Sequence, residues 1–298
     1  FGELIAIYFF YIWQNQFPKQ KISFVEMGAG NGLLMEDILR TFKKLDFLSE
    51  IEINIIEKSP KLIKTQKEKL QESPITWWNE FSDFTAQNTK PIFFIANELF
   101  DCFAINQFIH LGNAWYEKLV TCDKHGKLQF CLSQNPIAID QKNISDKNSK
   151  QQLPDKAILE MAPQAKNLME EVVAEINKNK GIAIIIDYGY IENKLTSTLQ
   201  AVKNNQPCNI LENAGNCDIS ALVDFKLLKK IAKNKNLQTS LISQRKFMQN
   251  LGIEERLKSL TKNKSDIKKT EITSSINRLI DKNQMGELFK VLICWQND

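Results

Sequence analysis

The sequence predicts an α/β fold built on a doubly wound, mostly parallel sheet, and three observations carry that expectation. Short apolar runs of strand length alternate with amphipathic helical runs through roughly the first hundred residues. A glycine-rich turn joins the first of these strands to its helix. The chain then ends on a further apolar run, Phe289–Trp295, suited to finish the sheet as an antiparallel last strand.

Taken in order, Phe1–Trp13 reads as an amphipathic helix that Pro18 brings to an end. Ile22–Met27 is the first buried strand, Gly28-Ala-Gly-Asn-Gly32 the turn, and Leu33–Phe42 a helix with Leu34, Ile38, Leu39 and Phe42 at helical spacing. Ile51–Ile56 is a strand ending in Glu57, Pro60–Leu70 a helix, Thr76–Trp78 a short strand and Ile92–Ala96 a strongly apolar one. Beyond Asp101 the pattern changes to a meander: Ile105–Leu111, Trp115–Val120 and Leu128–Leu132 are separated by Gly112-Asn113 and Asp123–Gly126. The polar stretch Ser133–Gln152 has too little apolar content to pack and reads as a mobile loop. Met161–Asn177 is a helix, and Gly181–Ile186 a fifth buried strand leading to Asp187-Tyr188-Gly189. A loop from Ile191 to about Asn216, a helix Ala221–Lys233, a strand Leu237–Ile242 and helices through Leu279 precede the last strand.

Composition narrows the function classes. A hydrophobic fraction of 43% over 298 residues supports a full core and argues against disorder. The net charge of +4 is too small and too dispersed for a nucleic-acid footprint. The apolar runs fall short of the ~20 residues that span a bilayer, so no membrane span is expected. Six cysteines without ligand spacing and only two histidines speak against a metal site and against His-based nucleophilic catalysis, and point to a reducing compartment.

The glycine turn carries the chemistry. Gly28, Gly30 and Gly32 let the backbone approach a ligand and aim amides at it, as nucleotide-like groups require. The spacing is Gly-x-Gly-x-Gly, with Leu33 where a dinucleotide fingerprint would place its third glycine. Glu26, two residues before the turn, would repel a pyrophosphate but suits the ammonium group of S-adenosylmethionine. Glu57, at the end of the second strand, is placed to accept hydrogen bonds from both ribose hydroxyls. Asn97, Glu98 and Asp101 follow the fourth strand at its carboxyl end, where an open α/β sheet presents its ligand.

These residues together resemble the MidA family. The likeness rests on Val25–Arg40, on Ile56–Pro60 with Gln66, on Ala96–Asp101 and Ile186–Gly189, and further on Cys217–Phe225, Gln244–Ile253 and Met285–Lys290. It implies a Rossmann-like class I methyltransferase fold with a β-hairpin and helix insertion, and S-adenosyl-L-methionine as cofactor. It also implies, for mitochondrial members, methylation of an arginine on a subunit of respiratory complex I during assembly. The location implied is the mitochondrial matrix for eukaryotic members and the cytoplasm for a bacterial one. The expected organisation is one domain, with its core at 20–102, 181–245 and 285–298, an insertion at about 103–180 and a helical insertion at about 246–284. Family members carry a segment ahead of the Phe1–Leu4 motif, and the family's Gly-Pro-Gly-Arg-Gly turn is here Gly-Ala-Gly-Asn-Gly.

An arginine acceptor is a permanent cation, so its site needs carboxylates that hold it and leave one nitrogen open to the methyl group. Glu98 and Asp101 are the first candidates, Asp187 and Glu160 the second, and Tyr188 is a candidate pocket wall. The expected partner is thus a protein substrate. Two alternatives stay open at this point: an assembly chaperone that binds the cofactor with weakened catalysis, and an NAD-dependent oxidoreductase, against which the glycine spacing argues.

Overall fold

The computed structural model describes residues 1–71, 73–140, 153–204, 206–212 and 215–296. Its first half contains α1 (Gly2–Gln16), β1 (Ile22–Met27), α2 (Leu33–Lys44), β2 (Ile51–Ile56), α3 (Pro60–Lys69), β3 (Ile75–Trp78), α4 (Phe81–Thr85) and β4 (Ile92–Asn97). There follow β5 (Asn106–Leu111), β6 (Ala114–Cys122), β7 (Leu128–Leu132), β8 (Ile158–Met161), α5 (Pro163–Asn179) and β9 (Gly181–Tyr190). The last third holds β10 (Gln200–Lys203), β11 (Gln206–Pro207), β12 (Asp218–Ser220), β13 (Val223–Asp224), α6 (Phe225–Asn234) and β14 (Gln238–Ser243). It ends with α7 (Gln244–Asn250), α8 (Ile253–Thr261), α9 (Asp266–Ile280), α10 (Met285–Leu288) and β15 (Phe289–Trp295).

The main sheet runs β3-β2-β1-β4-β9-β15-β14, with β13 paired to the end of β9. β1, β2, β3, β4 and β9 are parallel, and β15 runs against both of its neighbours. This is the doubly wound sheet with an antiparallel strand that the sequence predicts. Strand order reverses between β1 and β4, and a crevice opens above the carboxyl ends of strands at such a point.

β1 is buried along its whole length, because successive side chains face opposite layers and both layers are filled. Phe24 joins the core made with α1 and α2, where its ring meets Phe9 at 5.1 Å edge-to-face, while Val25 joins the opposite core with α5 and α6. α1 is therefore part of the sheet's cover: Leu4, Ile5 and Phe9 are buried against it.

A four-stranded antiparallel sheet, β7-β6-β5-β8, grows from the turn after β4, and a three-stranded one, β11-β10-β12, follows β9. The loop expected from Ile191 to Asn216 thus contains two strands, because Val202 and Lys203 of β10 pair with Pro207 and Gln206 of β11, and Gln200–Val202 pair with Asp218–Ser220 beyond the loop. The helix expected from Ala221 begins at Phe225. Val223 and Asp224 are still paired with β9, and the Asp224 carboxylate then caps α6 by accepting the Leu227 N–H at 2.9 Å. Met161 ends β8, and its helix starts at Pro163, a residue favoured at the first helical position. β9 extends beyond Ile186, so Asp187 and Tyr188 lie within the strand and are paired with Lys290 and Phe289. Of the stretch expected to be mobile, Ile137 bridges to Trp115, and 141–152 lie outside the described residues. α4 had no sequence signal strong enough to predict it.

Candidate functional site

The turn after β1 places three glycines in the left-handed region, with φ of 73° at Gly28, 54° at Gly30 and 78° at Gly32. A Cβ at Gly28 would stand 2.7 Å from Leu99 Cδ1, so the turn after β4 packs directly on the glycine turn. A Cβ at Gly30 would meet nothing within 4 Å, leaving this backbone open toward the crevice. Asn31 is exposed, and its Oδ1 accepts the Leu33 N–H at 3.1 Å at the start of α2.

Glu26 is buried, and its Oε2 has no hydrogen-bond partner among the described residues. Burial alone pushes its carboxyl up to about 8. A buried oxygen with nothing to accept is costly, and such a group marks a place where something else is meant to bind.

Glu57 is held on both oxygens. Oε1 accepts the Ser59 N–H at 2.9 Å and Oε2 accepts Gln66 Nε2–H at 3.3 Å, which leaves a second lone pair on each for a diol. Gln66 is fully buried between three groups: it also donates to the Gly30 carbonyl at 2.9 Å and accepts Trp77 Nε1–H at 3.0 Å. One side chain of α3 thus ties the glycine turn to Glu57.

Asn97 closes β4, and its amide donates to Glu98 Oε1 at 3.4 Å. Glu98 is exposed, has φ of 52°, and donates its N–H to the Ile186 carbonyl at 2.9 Å. A non-glycine residue there costs about 1 kcal/mol or more, a strain typical of ligand-binding turns. Partial desolvation pushes the Glu98 carboxyl up, opposed by the Asn97 hydrogen bond.

Asp101 sits in the 3₁₀ turn Phe100–Cys102, nearly covered. Its Oδ2 accepts the Tyr188 hydroxyl, and its Oδ1 accepts the Cys102 thiol at 3.3 Å. Asp187 is wholly buried and accepts three backbone amides: Phe100 N at 2.9 Å and Asp101 N at 3.2 Å on Oδ2, and Tyr188 N at 2.9 Å on Oδ1. Burial, with the neighbouring Asp101 carboxylate, pushes Asp187 up against these amides.

Asp101 also lines a cavity of about 260 Å³, together with Phe100, Glu160, Tyr190, Ala221 and Asp224. Glu98 and Asp187 are not among its walls. Glu160 is engaged with the loop before β10, accepting the Thr198 N–H at 2.9 Å, the Leu199 N–H at 3.3 Å and Gln107 Nε2–H at 2.6 Å. The structure therefore ties the glycine turn to Glu57 through Gln66 and to the 97–102 turn through Leu99, while Asp101 of that same turn stands in the cavity wall. Glu98 rides on the turn, and Asp187 holds it from below. Sequence reasoning named Gln66 without a role and overlooked Leu99, Tyr190 and Asp224 as site residues; these contacts join distant segments and leave no local pattern.

The family model of S-adenosyl-L-methionine-dependent methyltransferases matches residues 4–243. The chain belongs to that family. The methyltransferase is also 30% identical to the mitochondrial protein arginine methyltransferase NDUFAF7 of Danio rerio, a match covering 97% of this chain and 72% of that one. The human counterpart is 27% identical over 97% of this chain and 69% of its own. Two crystal structures from Burkholderia thailandensis share the fold. An uncharacterized protein superposes with a TM-score of 0.83 at 21% identity, covering 99% of this chain and 78% of that one. A second, bound to S-adenosyl-homocysteine, gives 0.81 at 20% identity, covering 99% and 76%. No helix among the described residues is long and apolar enough to cross a membrane, and none of their His, Cys, Asp and Glu side chains group into a metal site.

The cofactor of the methyltransferase is S-adenosyl-L-methionine, and the residues fit it. The partnerless Glu26 oxygen matches an ammonium group, the open face at Gly30 leaves room for the chain of the amino acid, and the tethered Glu57 matches a ribose diol.

Proposed function

We propose that the protein methylates an arginine side chain of a protein substrate, a subunit of respiratory complex I, and that Asp101 is the acid that receives the guanidinium. The observation that carries this reading is the position of Asp101: two residues from Leu99, which packs on Gly28, and itself in the wall of the 260 Å³ cavity. The cofactor and acceptor sides thus meet at one short turn.

When bound, the cofactor supplies an electrophilic methyl group on a sulfonium. Glu26 and the glycine amides hold the amino-acid end, Glu57 the ribose, and Asn97 the edge of the crevice. Each Asp101 oxygen accepts one donor, from Tyr188 or from Cys102, and keeps a further lone pair for guanidinium N–H groups. Asp101 orients the planar cation and takes up, at its carboxylate, the proton the guanidinium loses on methylation. Asp187 fixes that carboxylate by gripping the N–H groups of its turn. Phe100 and Leu159 give the cavity apolar walls that keep water from the reacting nitrogen. Asn31 leaves the backbone of the glycine turn intact, which supports an active enzyme over a chaperone that has lost catalysis.

Incubation with labelled S-adenosylmethionine and the chain's own complex I subunits tests the proposal. Label on an arginine is the expected result. Binding of S-adenosylhomocysteine without label on any arginine would overturn it.

A further inference from the structure

Cys208 and Cys217 lie outside the chemistry described so far. Their sulfurs are 3.1 Å apart, the Cys208 thiol donating to Cys217, across the bend between β11 and β12. A covalent S–S bond is about 2.05 Å, so a shift of roughly 1 Å would join them. The pair is framed from both sides: the Cys208 N–H donates to the Ala201 carbonyl at 2.9 Å, and β12 pairs with β10 from Asp218 onward. Both residues are partly exposed, so an oxidant reaches them.

The bend leads straight into the cavity wall. Three residues past Cys217, the Ser220 side chain hydrogen-bonds Tyr188, which donates to Asp101. Ala221 donates its N–H to the Asp101 carbonyl at 3.1 Å, and Leu222 donates to Thr198 Oγ1 at 2.9 Å. Both Ala221 and Leu222 line the cavity.

From this geometry we infer that Cys208 and Cys217 are a redox-sensitive modification site, closing into a reversible intrachain disulfide that fastens the strand bearing Ser220 and, just beyond it, Ala221. The oxidant is hydrogen peroxide. One thiolate attacks its O–O bond to give a sulfenic acid and release hydroxide, and the second thiol then displaces water to form the S–S bond. Two thiols lose two electrons and two protons, and one peroxide becomes two waters. A dithiol reductant reverses the change by exchange. Geometry rather than acidity singles out the pair: the Cys208 thiol is itself pushed up, chiefly by its hydrogen bond to Cys217, as burial pushes up Cys102 and Cys294, each to about 12.

The test uses the whole chain, treated with hydrogen peroxide, alkylated and cut with trypsin. No lysine or arginine lies between Lys203 and Lys226, so both cysteines stay on one peptide. The expected product is that peptide lighter by two hydrogens and unalkylated, restored by dithiothreitol. Its sulfenic acid intermediate should be trapped by dimedone at least ~5-fold less than that of exposed Cys122, because an intramolecular partner is already in place. Cys208→Ser and Cys217→Ser should each abolish the disulfide product. Amide exchange at Ala221 should slow in the oxidised wild type and not in either variant. Full alkylation of both cysteines under peroxide that consumes Cys122 would overturn the site, and unchanged Ala221 exchange in the disulfide form would overturn its link to the cavity. Neither readout depends on methyl transfer, so the proposed activity and this site stand or fall separately.

Discussion

The buried Asp187 carboxylate accepts the backbone N–H of Asp101 at 3.2 Å, so one acid holds the peptide plane of another. The same oxygen takes Phe100 N, and the second oxygen takes Tyr188 N. Asp187→Asn replaces one acceptor oxygen by a donor and strands at least one of these amides in the interior. Denaturant unfolding should show a loss of about 1–3 kcal/mol. Unchanged stability would show that the three contacts carry no weight.

Asp101→Asn keeps size and shape but removes the carboxylate proposed to receive the guanidinium. Turnover on an arginine substrate should fall by about 10²–10⁴-fold while S-adenosylhomocysteine affinity stays within a factor of about 2. Calorimetry beside a single-turnover assay separates the two quantities, and retained turnover would remove Asp101 from the acceptor site.

Glu26 makes stability depend on pH. Its carboxyl has an ordinary value of 4.5 and is pushed up to about 8 by burial. Between those values the folded protein holds a proton that the unfolded chain has lost, so Glu26's contribution declines as pH rises from about 4.5 through about 8, then levels off. Melting temperatures of the ligand-free protein should decline over that range. Saturating S-adenosylhomocysteine should offset the decline, because its ammonium favours the ionised carboxylate. Glu26→Gln should flatten the profile and weaken ligand binding by about 10-fold or more at pH 8. A profile unchanged by the substitution would refute the assignment.

Gly28 and Gly30 separate packing from ligand contact. Gly28→Ala drives a Cβ to 2.7 Å from Leu99 Cδ1 at φ 73°, and should cost about 2 kcal/mol or more of stability along with cofactor binding. Gly30→Ala has open space and should cost only about 1–2 kcal/mol from its backbone strain, while binding falls just as far because the methyl enters the crevice. Equal stability losses in the two variants would contradict this division.

The fold was legible because its signals are local. Ile22–Met27, the glycine turn and Glu57 announce strand, turn and strand end within a few residues, and the sheet order follows from such units. The cofactor side could be read for the same reason, since Glu26 and Gly28 are neighbours in sequence. What could not be read depends on register between distant strands. Whether Asp187 ends its strand or lies within it is decided by its pairing with Lys290, far along the chain. Only the folded structure shows that its carboxylate accepts the amides of Phe100 and Asp101. Gln66 likewise reads as an unremarkable polar residue on α3 until Gly30, Glu57 and Trp77 converge on it.

The two halves of the site draw on segments made at different times. Gln66 and Leu99 reach the glycine turn once the first hundred or so residues have been synthesised, whereas the Asp101 turn waits for Asp187 in β9 and for Ala221 beyond it. Every residue of the cofactor half therefore precedes β9 in the chain, while the turn that carries Leu99 is itself tied to β9 through the Glu98 N–H and the Ile186 carbonyl. A chain ending between β4 and α5 would leave β4 as an open sheet edge and Val25 without the helices that cover it, so the two halves of the site depend on one cooperative fold.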